Sequence, residues 1–356
     1  MIDRLVLHIG THKTGSTAIQ RSLADATDSL LARGILYPRA GRRGVGHAQL
    51  ANELVNTNGP LMAIPSHLGL LEEIRTSRPG TLLLSAEGLT GGGSARPAEW
   101  VRCVCETLQP QEVQVIGYVR PQWEFIESSY ADLVRVGMVW VPFAEWLERE
   151  LEGDSAFDYL RRFGPWWREF GERLEIRLYT VPSLGGRDAV DDFWHAAGLG
   201  PPPAHRPHHQ DRVRPGARAT EMLRALRALL AEHHLDGLVR VRETMLGAHR
   251  RIQAEPTEDL PFSPLTPEDV SRITKRCASS NEEFVRDYLR GVGGNPLSPP
   301  KRDEPSTWSL STASERERRL FARLVEEALR QMPPASAGGR SGVDERRRRV
   351  RRSRSG

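Results

Sequence analysis

Residues 5–20 read LVLHIGTHKTGSTAIQ and combine three local patterns in one short segment. Residues 5–9 form an apolar run of strand length, residues 10–17 (GTHKTGST) contain two glycines, and apolar residues then recur at helical spacing until Gly34. A strand, a glycine-bearing turn and a helix in this order direct backbone N–H groups and the positive end of the helix dipole at an anion. The segment therefore predicts an anion-binding loop that follows the first strand of an α/β protein.

Lys13 is unusual within this loop because lysine is rare in the chain. Lys13, Lys275 and Lys301 are the lysines among 50 basic residues, so the other 47 are arginines. The loop also differs from a Walker A loop, GxxxxGK[ST], in which lysine follows the second glycine, because Lys13 precedes Gly15. An ammonium group is a compact point charge, whereas a guanidinium fork suits two oxygens of a static anion. We therefore predict that Lys13 acts at a reacting centre.

Further runs of strand length follow at 81–85, 113–119 and 174–179, and helical patterns lie between them. This alternation predicts a three-layer α/β fold, in which helices flank a central parallel sheet. Sheets of this kind bind ligands outside the carboxyl ends of their strands. The predicted anion-binding loop lies at such a strand end.

The carboxyl-terminal part of the chain shows helical patterns at 218–232, 267–290 and 314–332, with a connection rich in proline, glycine and serine at 291–311. These patterns predict extra C-terminal helices. We expect one α/β domain over residues 1–332 that carries a helical elaboration from about 205 to 332. Residues 333–356 have almost no apolar side chains and contain an arginine-rich run, so we expect this tail to be disordered.

The net charge of +4 does not imply a basic face on the folded part. Residues 336–356 hold eight arginines against two acidic residues, a local charge of +6, which leaves about −2 for the rest of the chain. The tail could contact anionic surfaces such as RNA or a membrane, or it could be a solvated extension. The folded part requires no nucleic-acid partner.

Apolar runs in the chain are far shorter than the roughly 20 residues of a membrane span, and the amino-terminal residues lack the apolar core of a signal peptide. We therefore expect a cytoplasmic protein without a transmembrane segment. Cys103, Cys105 and Cys277 are odd in number and match no common zinc spacing. Neither a disulfide nor a structural metal site is expected.

The loop and a second motif together resemble an enzyme family. HIGTHKTGSTAIQ, residues 8–20, resembles the 5′-phosphosulfate loop of sulfotransferases that use 3′-phosphoadenosine 5′-phosphosulfate (PAPS), in particular of bacterial members with HIGxxKTGTT-type openings. VIGYVRPQWEFIESSYADLVR, residues 115–135, is similar to the family's 3′-phosphate motif, in which an arginine at a strand end precedes a serine by eight residues. Arg120 and Ser128 occupy these positions. The resemblance implies a P-loop nucleotide-binding fold.

The resemblance also implies a donor site with two anion-binding parts. Backbone and hydroxyl groups of the loop would hold the 5′-phosphosulfate, and Lys13 would stabilise charge on the departing phosphate oxygen. Arg120 and Ser128 would hold the 3′-phosphate, with Ser129 as the substitute if the helix begins one residue later. The transfer would require no metal ion. The implied donor-binding residues are His12, Lys13, Thr14, Gly15, Ser16, Thr17, Arg120 and Ser128.

Glu87 and His47 are the candidate general bases. TLLLSAEGL, residues 81–89, places Glu87 just after a predicted strand, and in the family the strand before the 3′-phosphate motif commonly presents the base, a histidine in some branches and a glutamate in others. Glu87 would take the proton of an acceptor hydroxyl or amine, although Ser-x-Glu at a turn can equally cap a helix. His47 either competes for this role, contacts the acceptor, or is a structural residue.

The acceptor is not defined by the sequence, and a small molecule or a glycan is compatible with it. His205, His208 and His209 lie in a segment dense in proline and arginine, which favours a polar loop near the acceptor over a metal site. Two alternatives remain. A P-loop kinase or NTPase is weakened by the missing GK[ST] and by the lack of a convincing Asp-ended strand for Mg²⁺. A non-catalytic nucleotide-binding or RNA-binding protein is weakened by the near-neutral charge of the folded part. Ala18 stands where cytosolic animal sulfotransferases have a tryptophan that stacks on adenine, so that contact is not implied here.

Overall fold

The computed structural model describes residues 2–153, 157–180, 188–203, 214–233, 235, 237–257, 259–289, 296–297 and 305–331. The arginine-rich tail and the segment with His205, His208 and His209, for which we made predictions above, lie outside the described residues. The chain forms two compact units, one of residues 1–129, 147–210 and 265–305 and the other of residues 130–146, 211–264 and 306–356.

The first unit is built on a five-stranded parallel sheet in the order β2-β3-β1-β4-β5. The strands are β1 Arg4–His8, β2 Ile35–Leu36, β3 Thr81–Ser85, β4 Glu112–Val119 and β5 Leu174–Leu178. The four predicted strands agree with these bounds to within one residue, whereas the short edge strand β2 was not predicted. The predicted α/β fold with a central parallel sheet flanked by helices is thus confirmed.

The helices begin and end close to the predicted patterns where a prediction was made. In chain order they are α1 Ser16–Asp25, α2 Thr27–Leu31, α3 Ala48–Asn56, α4 Pro65–Ser77, α5 Arg96–Leu108, α6 Gln122–Arg135, α7 Phe143–Glu152, α8 Tyr159–Phe170, α9 Ala189–Ala196, α10 Ala217–Glu232, α11 Leu238–Ala254, α12 Pro267–Tyr288 and α13 Glu315–Gln331. None of the helices in the described part of the chain is long and apolar enough to cross a membrane.

The helical pattern after the loop is interrupted once, which the sequence did not indicate. α1 ends at Asp25, and α2 begins at Thr27 after a break at Ala26. The hydroxyl of Thr27 donates to the backbone oxygen of Ala24 at 2.8 Å, a bond that competes with the regular helical pattern. The chain then leads from α2 into β2.

The central strand β1 is buried on both faces, as expected in a parallel sheet. Leu5 and Leu7 pack into an apolar cluster on one face, which includes Trp100 and Trp166. Val6 packs into a second cluster on the other face, with side chains of α1, α2 and α9. Because both faces are covered, the side-chain register of β1 is fixed, and so is the position at which its carboxyl end meets the loop.

The second unit is helical in its described part. α10, α11 and α13 pack on one another. The predicted elaboration at about 205–332 was a continuous stretch, but the observed units are discontinuous in sequence, because α12 packs against α8 within the first unit. That residues 1–332 fold together as one domain stays a prediction.

Candidate active site

The predicted anion-binding loop, residues 9–15, connects the carboxyl end of β1 to α1. Because β1 lies between β3 and β4, the loop emerges at the middle of the sheet edge where parallel sheets bind ligands. Gly10, Lys13 and Gly15 have positive φ angles of 35°, 69° and 78°. Gly15 is the N-cap of α1, and no side chain caps this end of the helix. The first-turn N–H groups and the positive end of the helix dipole are therefore directed out of the sheet edge.

Glycine is required at position 15 for two independent reasons. Its φ of 78° is unfavourable for residues with a side chain. A Cβ atom there would lie only 2.6 Å from Cβ of Ala189 and 3.2 Å from Cε2 of Tyr179. The loop and α9 can approach this closely only because the side chain is missing.

Hydroxyl groups inside the loop hold it in shape. The hydroxyls of Thr14 and Ser16 both donate to the backbone oxygen of Thr11, at 2.7 and 3.1 Å, and that of Thr11 donates to the backbone oxygen of Tyr118 at 3.0 Å. These three side chains are buried. The hydroxyls of Thr14 and Ser16, which we predicted as ligands of an anion, are thus engaged within the protein, whereas Thr17 is half-buried at the start of α1.

Arg120, which follows β4, binds the loop directly. Its Nη1 donates to the backbone oxygen of Lys13 at 3.0 Å. Its Nε and Nη2 donate to Oε2 of Glu124 at 3.2 and 2.6 Å. The structure thus brings together the lysine and the arginine that the two sequence motifs singled out. Glu124 also neutralises part of the arginine charge and would compete with an anion for it.

Ser128 lies in the second turn of α6, which begins at Gln122, and is 3% exposed. The neighbouring Ser129, our alternative, is half-buried. At 1.5 Å per residue, Ser128 lies about 9 Å along the helix from Gln122. An anion that contacts both Arg120 and Ser128 would therefore lie along the first turns of α6.

Glu87 lies at the end of β3 and begins a 3₁₀ segment, Glu87–Gly93. Nε2 of Gln20, on α1, donates to Oε2 of Glu87 at 2.6 Å. Nδ1 of His12, in the loop, lies 3.6 Å from Oε1. A carboxylate at the end of one strand is thus held by two residues of the segment that follows the neighbouring strand. Gln20 was not predicted from the sequence, although its position four residues after Ser16 places it on the side of α1 that contains the loop's last residues.

The electrostatic surroundings of Glu87 favour its ionised form. Burial acts to raise the pKa of Glu87, but the hydrogen bond and charge of His12, the backbone and the hydrogen bond from Gln20 outweigh burial and lower the pKa to about 2. The side chain is 24% exposed, so it is accessible from the sheet edge. At neutral pH the site therefore contains a carboxylate in its charged form.

His8 is a second buried group that the sequence analysis did not single out. Its Nδ1 lies 2.7 Å from the hydroxyl oxygen of Ser85, and its Nε2 is buried without a hydrogen-bond partner. Nε2 lies 3.3 Å from the point that a Cβ of Gly10 would occupy, so the unpartnered atom is directly beneath the loop. Burial lowers the pKa of His8 to about 4, against the opposing charge of Glu87. His8 is thus neutral at physiological pH.

His47 is fully buried at the N-cap of α3. The N–H of Ser85 donates to its Nδ1 at 3.1 Å, and in that tautomer its Nε2 donates to the backbone oxygen of Pro38 at 3.0 Å. Burial, with the nearby charge of Arg42, lowers the pKa of His47 to about 3. Since both nitrogens are bonded to the backbone, the geometry indicates that His47 holds the end of β3, and we do not retain it as a candidate base.

The described residues contain no group of three or more histidine, cysteine, aspartate or glutamate side chains that could hold a metal ion. The histidines at 205, 208 and 209 lie outside this part of the chain. At the sheet edge the structure brings together five residues, His12, Lys13, Gln20, Glu87 and Arg120. The buried His47 bonds to the backbone at the end of β3.

Similarity to known proteins is low. No protein-family model matches the chain, and no curated protein matches it. Among solved structures, the chain is similar to the crystal structure of a sulfotransferase from Alicyclobacillus acidocaldarius, with 13% sequence identity and a TM-score of 0.42, over 82% of this chain and 97% of that one. Similarity at this level carries no argument about activity, so the functional proposal rests on the geometry of the site.

Proposed function

We propose that this protein is a sulfotransferase that moves a sulfuryl group from PAPS to a hydroxyl or amine of an acceptor by in-line displacement. The observation that carries the proposal is the hydrogen bond from Gln20 to Glu87. Through it, a single strand-loop-helix segment presents an anion-binding helix end and also orients a carboxylate. Sulfuryl transfer to an acceptor requires both features, an anion site for the donor and a base for the acceptor proton.

The loop fits the phosphosulfate end of the donor. Gly10 and Gly15 let its backbone pack closely against neighbouring side chains with positive φ angles, and the unpartnered Nε2 of His8 lies beneath it. The backbone N–H groups of residues 14–17, with Lys13 and His12, would hold this end. PAPS supplies the sulfuryl group together with a phosphate leaving group. Lys13 would stabilise the negative charge that develops on the departing oxygen, a task suited to a point charge.

Glu87 would accept the proton of the acceptor. With a pKa of about 2 its carboxylate is ionised at neutral pH, but it is a weak base while His12 and Gln20 stabilise its charge. His12 is 57% exposed and can leave Glu87 without disturbing the core. If His12 turns towards the anionic donor, Glu87 loses part of this stabilisation and becomes a stronger base, so His12 would couple donor binding to base strength.

The 3′-phosphate would be bound by Arg120 and by Ser128 or Ser129, and this second anion site would distinguish PAPS from ATP. Because Arg120 also donates to the backbone of Lys13, binding of the 3′-phosphate would affect the position of the loop that holds the phosphosulfate. The acceptor stays a prediction of class, a small molecule or glycan with a hydroxyl or amine. The cytoplasmic location and the absence of a metal requirement are likewise predictions.

Isothermal titration calorimetry with 3′-phosphoadenosine 5′-phosphate (PAP), beside ATP with Mg²⁺, tests the donor class. We expect PAP to bind without metal and Arg120→Ala to weaken that binding by about tenfold or more, because a charged hydrogen bond to phosphate is lost. Arg135→Ala is the matched control, since Arg135 is equally exposed at 15% and pairs with a carboxylate on α6.

Three outcomes would contradict the proposal. Tight binding of ATP with Mg²⁺ together with indifference to the 3′-phosphate would move the protein to the kinases and NTPases. Failure of both nucleotides to bind would exclude a nucleotide donor of either kind. Equal loss of PAP affinity in the Arg120 and Arg135 variants would remove the assigned role of Arg120.

A further inference from the structure

Arg162 is a buried guanidinium for which the described part of the chain supplies no counterion. It lies in the first turn of α8 and is 7% exposed. Its Nε and Nη1 are buried and have no hydrogen-bond partner. Arg218 and Arg227 are as deeply buried, but each donates a hydrogen bond to a backbone oxygen. Nε and Nη1 of Arg218 also lack a hydrogen-bond partner, but that Nη1 lies 4.0 Å from Oε1 of Glu317. Arg162 differs from both arginines because the described residues supply its guanidinium with neither a backbone oxygen nor a carboxylate.

The contacts that Arg162 does make do not offset its burial. Its Cζ lies 5.7 Å from the centre of the Phe125 ring, which allows a cation–π contact. Such a contact restores only a fraction of the free energy that is lost when a cation leaves water. The guanidinium also retains most of its five N–H donors unsatisfied, a further cost in a buried position. This imbalance is the expected signature of a site whose anion arrives with a ligand.

The position of Arg162 places it near the second anion site rather than in the general core. α8 precedes the parallel strand β5, so its amino-terminal turn lies at the carboxyl edge of the sheet. The hydroxyl of Tyr159, three residues before Arg162, donates to the backbone oxygen of Arg120 at 2.5 Å. Phe125 lies on α6 three residues before Ser128, and residues at this spacing share a helix face. Arg162 thus lies on the side of the site formed by Arg120 and Ser128.

We propose that Arg162 is an oxyanion-binding residue and that the 3′-phosphate of the donor is the anion that reaches it. This inference rests on the proposed function. Arg120 already donates to Glu124 and to the backbone of Lys13, so it cannot give its whole guanidinium to a doubly charged phosphate. Arg162 supplies the second cation. An anionic group on the acceptor is the other source of the same chemistry.

Calorimetry with two nucleotides separates these sources. We expect Arg162→Met, which keeps an unbranched apolar stem but removes the guanidinium and its charge, to weaken binding of PAP by about tenfold or more. Binding of adenosine 5′-phosphate, which lacks the 3′-phosphate, should stay within about twofold of wild type. Arg161→Met is the control, since the neighbouring Arg161 lies on the same turn and is exposed.

The same variants are titrated with inorganic sulfate in the presence of saturating PAP. If sulfate binding is lost in Arg162→Met while PAP binding is unchanged, the oxyanion role holds and the anion comes from the acceptor. If Arg162→Met behaves like Arg161→Met towards PAP and sulfate, the inference is overturned. If the wild type does not bind PAP at all, the proposed function fails, and sulfate titration of the free protein alone decides the role of Arg162.

Thermal unfolding of the ligand-free protein distinguishes an anion-binding residue from a structural one. Removing an uncompensated buried charge should leave the melting temperature of Arg162→Met unchanged or higher. A lower melting temperature combined with unchanged affinity for PAP and sulfate would show a structural role and refute the inference. Arg162→Gln is the second variant, used for the same titrations if Arg162→Met does not fold.

Discussion

Replacing Glu87 by glutamine removes a carboxylate whose ionised form is stabilised by the folded protein. Burial acts to raise the pKa of this group, but His12, the backbone and Gln20 together lower it from 4.5 to about 2. A carboxyl group with a lowered pKa in the folded state adds stability above its unfolded-state pKa, and the contribution is lost as pH falls through the folded-state value. Glu87→Gln should therefore change how stability depends on pH between 6 and 3.

The size of the effect follows from the two pKa values. The fall from 4.5 to about 2 corresponds to about 3 kcal/mol of stabilisation at neutral pH. Of this, about 2 kcal/mol should disappear between pH 6 and pH 3, since protonation in the unfolded state becomes favourable over that range. The wild type should lose this amount in addition to the losses that it shares with the variant.

Urea unfolding at pH 6, 5, 4 and 3, followed by tryptophan fluorescence, measures the difference. Trp100 and Trp166 are buried in the unit that contains Glu87 and report its unfolding. Glu282→Gln, at an exposed position of α12, is the control and should follow the wild type. A difference in unfolding free energy between wild type and Glu87→Gln that stays constant from pH 6 to pH 3 would refute the assigned electrostatics of the site.

Three further substitutions test the loop and its partner on α1. Gly15→Ala should lower the free energy of unfolding by about 2 kcal/mol or more, because positive φ and the nearby Cβ of Ala189 both oppose a side chain; urea unfolding that matches the wild type would contradict this. Lys13→Arg should bind PAP within about threefold of wild type and yet release sulfate from PAPS to water at least about tenfold more slowly, and equal rates would show that a point charge is not needed. Gln20→Leu should lower the free energy of unfolding at neutral pH by about 2 kcal/mol through loss of a charged hydrogen bond, and should reduce the pH dependence assigned to Glu87; a change in neither would remove Gln20 from the site.

Local sequence patterns account for the frame of the site. The strand, loop and helix of residues 5–20 and the strand end at Arg120 were predicted because apolar periodicity and glycine turns are encoded within a few residues. β2 was not predicted because two residues carry no periodicity, and its identity as a strand comes from pairing with β3.

The contacts that tune the site could not be predicted in the same way. Gln20 and Glu87 are 67 residues apart in sequence, and Lys13 and Arg120 are 107 apart. His47 was a reasonable candidate base until the fold placed the backbone of Ser85, 38 residues later, against its ring. These contacts form only when separate elements pack together, so no local sequence pattern predicts them.

Lys13 adopts a backbone conformation that residues with side chains avoid. Its φ is 69°, and the left-handed region costs a non-glycine residue roughly 1–2 kcal/mol. Arg78 and Gln109 share this feature, but both end a helix, where such a conformation is common. Lys13 ends no helix, and glycine would adopt its conformation without strain. Lys13→Gly is therefore expected to strengthen the fold while removing the ammonium group on which the proposed chemistry depends, so the most stable version of this loop and the most active one are different sequences.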